Sequence, residues 1–592
     1  MEKIYIDLIN ENQKELDLLQ KDHHKFVLLR LTYMAIILIF LYFCIIDLKT
    51  IYFILMILTI LLFCYCVFKH HKTKVRILHL TYKNEIIHQY IDRIDGNWIN
   101  FKEIGQELLK KDDFQSKDLD LLGPNSLFQY ICVAKTSLGK KRLLKDIHNL
   151  NPQIDEIKVR QEIIQELSTD LNFSIEFQTL LKKATHNFHV DIDQAINQFE
   201  KQLDYPISHF KILKILRLFS ILIYTLCIMG RFHEASGSIM MLVFLINNAL
   251  MFIVGQRYKS LIQSIHLFSH QFEIYSKLFL LISQMNFNHS FLNKMKTNFK
   301  QSGLNCMKEL ARIDIQLKFR YNLIGNLLLN GFLMYDIHCL ERLNKWKKSH
   351  QNSLMTWFED IALLESFLSL ASISQVQENY CYPLVEEKLG ILSFKDLKHP
   401  LIKSDQAIGN DFTLTHRTNI ITGSNMSGKT TFLRTIGINA LLAYAGAPVL
   451  AKSFNISCMC VLTSMRIEDE LNSSTSTFYA ELKRIKMMVE KANEDIPLLC
   501  LIDEIFKGTN SADRIVGAKA AITRLNLKHI TTFVSTHDFE LCDLQNDADL
   551  SIENYHFKES YHNQQIIFDY KLNHGRCLTT NARYLLEMVG IL

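Results

Sequence analysis

Ile420-Ile421-Thr422-Gly423-Ser424-Asn425-Met426-Ser427-Gly428-Lys429-Thr430-Thr431 fits G-x-x-x-x-G-K-[ST], with an apolar run before it and a helix-like run from Phe432 to Tyr444 after it. That spacing is what a phosphate-binding loop requires. Gly423 and Gly428 let the backbone curl so that successive N–H groups face an anion. Lys429 is positioned to reach β- and γ-phosphates, and the Thr430 hydroxyl to ligate Mg²⁺. The following helix points its positive end at the same place. The expected ligand set is ATP with Mg²⁺, held by Gly423, Ser424, Asn425, Met426, Ser427, Gly428, Lys429, Thr430 and Thr431.

Downstream, Leu498-Leu499-Cys500-Leu501-Ile502-Asp503-Glu504 is an apolar strand ending in two carboxylates, and Thr531-Thr-Phe-Val-Ser-Thr-His537 is a short strand ending in a histidine. In a phosphate-loop fold the first of these is expected beside the loop strand. Asp503 then joins Thr430 in the Mg²⁺ shell, Glu504 orients or deprotonates the attacking water, and His537 contacts the γ-phosphate or its water. From about Gly390 the sequence alternates strands and helices, which implies a parallel sheet covered by helices.

The rest of the chain reads differently. At 592 residues it has room for several domains, and a net charge of +5 is too mild to argue by itself for nucleic acid. Its 13 cysteines form no paired framework. Cys64-Tyr-Cys66 and Cys458-Met-Cys460 lack the second half of a zinc site and read as core residues. Only 7 prolines and 20 glycines predict long helices and few loops.

Two apolar runs stand near the beginning, Leu31 to Ile46 and Ile51 to Phe68, separated by Asp47-Leu-Lys-Thr50. A membrane span needs roughly 17–25 such residues. Lys21, Lys25 and Arg30 flank one outer end, and Lys69, Lys72, Lys74 and Arg76 the other. Positive charge at both outer ends places both in the cytoplasm. A second apolar hairpin is expected over about 212–256, from Leu218 to Gly230 and from Ile239 to Val254. The expectation is a multi-pass membrane protein with four spans and a cytoplasmic main body. Between these runs, Ser126 to Leu150, Ile154 to Leu171, Ser260 to Met295 and much of Met307 to Leu370 carry apolar residues at helical spacing.

Several stretches resemble the MutS family of DNA-repair ATPases. They are Thr422 to Thr431, Ser476-Thr-Phe-Tyr-Ala-Glu481, Asp503-Glu-Ile-Phe-Lys-Gly-Thr-Asn-Ser511, Ser535-Thr-His-Asp-Phe-Glu-Leu541, Phe568-Asp-Tyr-Lys-Leu572 and the closing Leu585 to Ile591. Upstream, Asp118-Leu-Asp-Leu-Leu-Gly-Pro-Asn-Ser-Leu-Phe128 and Arg160-Gln161-Glu162 add to the likeness, which runs from about 118 to 592. The resemblance implies an α/β P-loop ATPase domain of the ABC type at 388–592. A long all-α lever and clamp at 78–387 precedes it, and a membrane anchor at 1–77 stands first. It implies a homodimer in which Ser476 of one subunit completes the other's site, with Thr509-Asn510-Ser511 at the boundary. It implies a clamp for DNA, for which Arg342, Lys345, Lys347 and Lys348 are candidate phosphate contacts on a tip between two long helical stretches. The family's G-x-F-Y-E wedge has no counterpart here; Phe101-Lys-Glu103 lacks the β-rich surroundings. No helix-turn-helix dimer element is expected after the ATPase. Two other readings are compatible with the sequence, an ABC-type transporter and a nucleotide-switched membrane tether, although Ser474-Thr-Ser-Thr-Phe478 stands where a transporter would carry Leu-Ser-Gly-Gly-Gln.

Overall fold

The computed structural model describes residues 1–47, 49–110, 113–148, 151–185, 207–230, 235–318, 322–466, 477–507, 510–562 and 565–577. A helical region is followed by a mixed α/β region that begins at Leu384. Helices α1 (Glu2–Asp47) and α2 (Thr50–Asp95) are 46 residues each and lie antiparallel. Asn12 bonds Asn84 at 2.8 Å, Glu15 pairs with Arg76 at 2.8 Å, and Arg30 meets His70 at 2.9 Å. Their polar halves are anchored in the helical core, where Tyr5 stacks on Tyr90 at 5.3 Å and its hydroxyl donates to the Gln375 carbonyl at 2.8 Å. Their apolar halves are bare: Leu31, Ile45, Leu61 and Phe68 are all more than 60% exposed.

Among the described residues three helices are long and apolar enough to cross a membrane: α1, α2 and Ser236–Gln256. The helix Ile207–Ile228, expected to pair with the third, is not one of them, because Lys211, Lys214 and Arg217 crowd its first half. A segment not anticipated from the sequence joins this group. Leu323–Leu333 and Tyr335–His350 meet at an 89° bend and together are apolar enough for a broken span. The bend sits at Met334, whose φ of 47° is left-handed. The Gly331 carbonyl accepts from Tyr224 at 2.9 Å and from Asn247 at 2.8 Å, tying Leu323–Leu333 to both neighbouring helices.

The helical core is organised on Tyr335–Val376, a 42-residue helix whose second half is buried against Ser137–Ile147 and Ile154–Thr169. Two expectations are corrected here. The stretch from Ser126 does not run as one helix: Leu127–Ile131 and Ser137–Ile147 are separated, because the buried Glu365 carboxylate takes the Lys135 and Thr136 N–H groups and the Thr136 hydroxyl. The run Arg342 to Lys348 is not a tip between helices but lies inside Tyr335–Val376. Lys347 is buried, Arg342 bonds Gln316 at 3.2 Å, and Lys345 pairs with Glu341 at 3.2 Å. A helix that buries one face leaves only part of such a charge run to solvent.

Among the described residues the α/β region holds two sheets. The larger runs β10-β9-β4-β8-β7-β6, where β4 is Thr418–Thr422, β6 Cys460–Ser464, β7 Leu498–Asp503, β8 Ile530–Ser535, β9 Ile552–His562 and β10 Gln565–His574. All neighbours are parallel except β9 and β10. Strand β4 is buried along its whole length, as expected of a parallel strand covered on both faces. The smaller sheet runs β1-β5-β2-β3, with β1 Leu384–Glu386, β2 Leu392–Leu397, β3 Asn410–Thr413 and β5 Ser453–Ser457. The carboxylate strand β7 is not beside the loop strand; β8 lies between them. Ser535, the last residue of β8, is level with Ile421 on one side and Asp503 on the other, so three strands end together.

The helix Lys429–Tyr444 is buried almost throughout between the large sheet and the helical core. Gly437 is what permits this: a Cβ there would sit 2.7 Å from Leu119 Cδ2 and 2.9 Å from Leu501 Cδ1. Gly437→Ala is therefore expected to cost about 1–3 kcal/mol by overpacking. Thermal unfolding followed in the α/β region should show it, and an unchanged midpoint would mean that the helix is free to shift.

Candidate functional site

The three strand ends put their side chains around one point. Asp503 Oδ2 accepts from the Thr430 hydroxyl at 2.7 Å, and Asp503 Oδ1 accepts from the Ser535 hydroxyl. A small residue at the end of β8 thus lets a carboxylate two strands away reach the loop. Lys429, 5% exposed, donates to the Gly423 and Ser424 carbonyls at 2.9 Å each, and its amine lies 3.5 Å from His537 Nε2. Burial pulls the Lys429 amine below its ordinary range, while Glu504 and Asp503 act in the opposite sense.

Glu504 begins the turn after β7 with a φ of 52°, and its N–H donates to the Ser535 carbonyl at 3.0 Å. Its carboxylate bonds His537 Nε2 at 3.1 Å and Lys507 Nζ at 2.5 Å. The His537 hydrogen bond, against the opposing effect of burial, holds the Glu504 carboxyl down at about 2. It is therefore ionised at any physiological pH.

The loop has the backbone its sequence calls for. Gly423 and Gly428 have φ values of 150° and 105°, and Met426 is left-handed at 70°. A Cβ on Gly428 would press on Tyr570 at 3.1 Å, and one on Gly423 would meet the Ser427 hydroxyl at 2.8 Å. Asn425, Met426 and Thr431 are exposed, whereas Ser427 is buried with no partner for its hydroxyl among the described residues. Ser424 donates to Glu559 on β9. In front of the loop is a cavity of about 410 Å³ that is also lined by the apolar Leu397, Ile402, Ala407 and Ile408, with the Tyr570 ring against Gly428. His399 also lines it, pushed down to about 4 by burial and so neutral. The cavity combines one cationic, N–H-rich end with apolar lining, which fits a nucleotide. The Thr430 hydroxyl and Asp503 carboxylate are hard oxygen donors converging on that end, which suits Mg²⁺.

Of the residues singled out in the sequence, the structure brings together Gly423 to Thr431, Asp503, Glu504 and His537. Ser476, Thr509 and the closing Leu585 to Ile591 lie outside the described residues. Asn510 is the N-cap of the helix Ser511–Leu525, accepting from the Asp513 N–H at 2.9 Å. Two sets of residues were missed. Glu481, on the helix Thr477–Ala492, is 1% exposed and accepts from the Phe506 N–H just after Glu504, and burial pushes its carboxyl up to about 7. It closes a stretch already noted for its resemblance, which was the available signal. Asp118 and Asp120 are the other set. Asp120 pairs with Arg434 on the loop helix at 2.6 Å, and Asp118 with the buried Arg484 at 3.1 Å. Asp118 also accepts from the Met465 and Arg466 N–H groups at 3.1 and 2.8 Å, where β6 ends. Nothing local predicts partners more than 300 residues away.

Residues 419–590 match the family described as MutS domain V. Similar proteins include MutS protein homolog 4 of Mus musculus, 30% identical over 314 residues, which is 50% of this chain and 30% of that protein. The Homo sapiens protein of the same name is 30% identical over 316 residues, 51% of this chain and 31% of its own length. A DNA mismatch repair protein MutS of Thermus thermophilus is 29% identical over 233 residues, 39% of this chain and 28% of its own. The matched stretch thus spans less than a third of these relatives' length.

Proposed function

We propose that this chain is a membrane-anchored ATPase of the MutS family, which binds and hydrolyses ATP as a dimer and engages DNA through its helical region. The observation that carries the ATPase reading is the convergence of Lys429, Thr430, Asp503, Glu504 and His537 on one end of the cavity, on strands and turns of the MutS domain V stretch. In this reading the backbone N–H groups of the loop and the Ser427 hydroxyl bind the phosphates, and Lys429 exchanges its loop carbonyls for phosphate oxygens. Thr430 and Asp503 would hold Mg²⁺, which when bound neutralises developing charge on the phosphates. Glu504 and His537 hold the attacking water, and the ionised Glu504 takes its proton or fixes its orientation. Ser476 of the partner subunit completes the site. The DNA reading is supported by the similarity to the DNA mismatch repair protein MutS of Thermus thermophilus, and its contacts are to phosphate rather than base edges; steep loss of affinity with salt is the expected signature.

Lys429→Ala is the direct test of the site. No other cation approaches the loop carbonyls among the described residues, so tight ATP binding is expected to be lost, with affinity down at least about tenfold, or 1.4 kcal/mol. Equilibrium binding of ATP measures it; parental affinity would put the nucleotide elsewhere.

Membrane anchoring is supported by the bare apolar halves of α1 and α2, which together form a patch too large for a protein in water. The basic flanks at Lys21 to Arg30 and Lys69 to Arg76 orient it with the α/β region in the cytoplasm. A membrane-impermeant thiol probe is expected to reach a cysteine at Lys49 from outside intact cells and to miss one at Lys452, which is exposed on the α/β region. Recovery of the full chain in the soluble fraction without detergent would overturn the anchor.

A further inference from the structure

A second and larger cavity, about 810 Å³, lies between Phe114–Asp118, Ser137–Ile147, β6 and Thr477–Ala492, and shares no residue with the phosphate-loop cavity. Two of the residues that line it carry buried polar atoms that are otherwise unexplained. Gln115 is 8% exposed and Thr463 is 4% exposed, and neither Gln115 Oε1 nor Thr463 Oγ1 has a hydrogen-bond partner among the described residues. The Gln115 amide nitrogen donates to the Val461 carbonyl at 2.9 Å, which fixes the amide with its oxygen end free. Buried polar atoms are normally paired, since an unmet one costs about 1–3 kcal/mol. Two among the residues that line one cavity point to something that fills it.

The rim states the chemistry of that ligand. Lys110, Lys145 and Lys491 all line the cavity, and the single acidic side chain among the described residues that line it, Asp113, is already engaged by His148 at 3.1 Å and by the Ser116 N–H at 3.0 Å. The charge offered is therefore positive. The remaining wall is apolar and partly aromatic, with Phe114 and Leu462 prominent. An anionic group for the lysines, a hydrogen-bond donor for Gln115 Oε1 and a flat body for the apolar wall are all parts of a nucleotide. The volume is within the ordinary range for small-molecule sites, about 300–1,000 Å³.

We propose that this cavity is a second ligand site, separate from the phosphate-binding loop, and that it takes a phosphorylated nucleoside. The base lies against Phe114 and Leu462 with an N–H donated to Gln115 Oε1, Thr463 bonds the base or ribose, and Lys145 and Lys491 hold the phosphate. The ligand would rest on β6, the strand that pairs with the carboxylate strand β7.

Equilibrium dialysis on the full chain in detergent decides the matter, with radiolabelled AMP, GMP, CMP, UMP and inorganic phosphate as probes. Lys429→Ala is used as background to weaken the loop site. The expected result is about one equivalent of at least one nucleotide per chain, weakened at least tenfold by Lys145→Glu with Lys491→Glu. Gln115→Leu should narrow the difference between the bases while leaving phosphate-dependent binding in place. The two lysine changes lie outside the ATP site and, in the otherwise native chain, should leave ATP hydrolysis without added ligand unchanged, which shows that they fold. Absence of nucleotide binding in the Lys429→Ala background overturns the proposal, as does binding that survives the double charge reversal. Inorganic phosphate binding as tightly as every nucleotide would overturn its nucleoside part.

Discussion

Glu504→Gln is expected to bind ATP with parental affinity and to hydrolyse it about 10²–10⁴-fold more slowly, the range that a positioned general base contributes. Glutamine keeps the length and shape of the side chain and tolerates the left-handed backbone at 504 no worse than glutamate, so the turn after β7 should survive. What it cannot supply is a negative carboxylate between His537 and Lys507, both of which hold the native group ionised. Because Glu504 stays charged far below neutrality, it should impose no acid limb on the rate between pH 5 and 8. Single-turnover hydrolysis alongside equilibrium ATP binding separates the two effects. A turnover within about twofold of the parent would remove Glu504 from the chemistry, and joint loss of binding and turnover would make it structural.

The parts of this fold that were legible in the sequence are those set by short-range rules. The glycines and lysine of 423–429 specify a loop because few backbones suit an anion, and β7 announces itself as an apolar run of strand length. The apolar halves of α1 and α2 are likewise visible as composition. Strand order was not legible. An apolar strand ending in Asp503 reads the same whether it lies next to β4 or one strand further away, and only Ser535 at the end of β8 reveals how the reach is bridged. Leu323–Leu333 escaped notice because it is 11 residues long and broken by Gly325, Asn326 and Asn330, so no run of span length marks it. The charges at Arg342 to Lys348 misled because a charge run signals a turn only when the helix around it stops, and here Trp346 and Leu354 continue the buried face.

Asp118 is expected to be the most sensitive position outside the ATP site. Its carboxylate is fully buried and satisfies Arg484, itself almost buried, together with two backbone N–H groups. Arg484 also lies over the Phe114 ring at 4.2 Å, so it is held in place on both sides. Removing one partner of a buried pair leaves the other charge without compensation, at a cost of about 3–5 kcal/mol. Asp118→Ala should therefore destabilise the junction between the helical region and the α/β region by that amount. The effect should be local, because Met465 and Arg466 follow directly on β6, just before the stretch that holds Ser476. Hydrogen exchange is the suitable readout, since a chain of this size will not unfold in one step. Faster exchange is expected at 460–466 and along Thr477–Ala492, with α1 and α2 unaffected. Replacing both partners, Asp118→Leu with Arg484→Met, removes the stranded charge and should recover a large part of the loss. If the single and double variants exchange alike, the carboxylate's worth lies in its backbone bonds rather than in the ion pair. If Asp118→Ala exchanges like the parent, the contacts of Asp118 are not what hold the helical region to the α/β region.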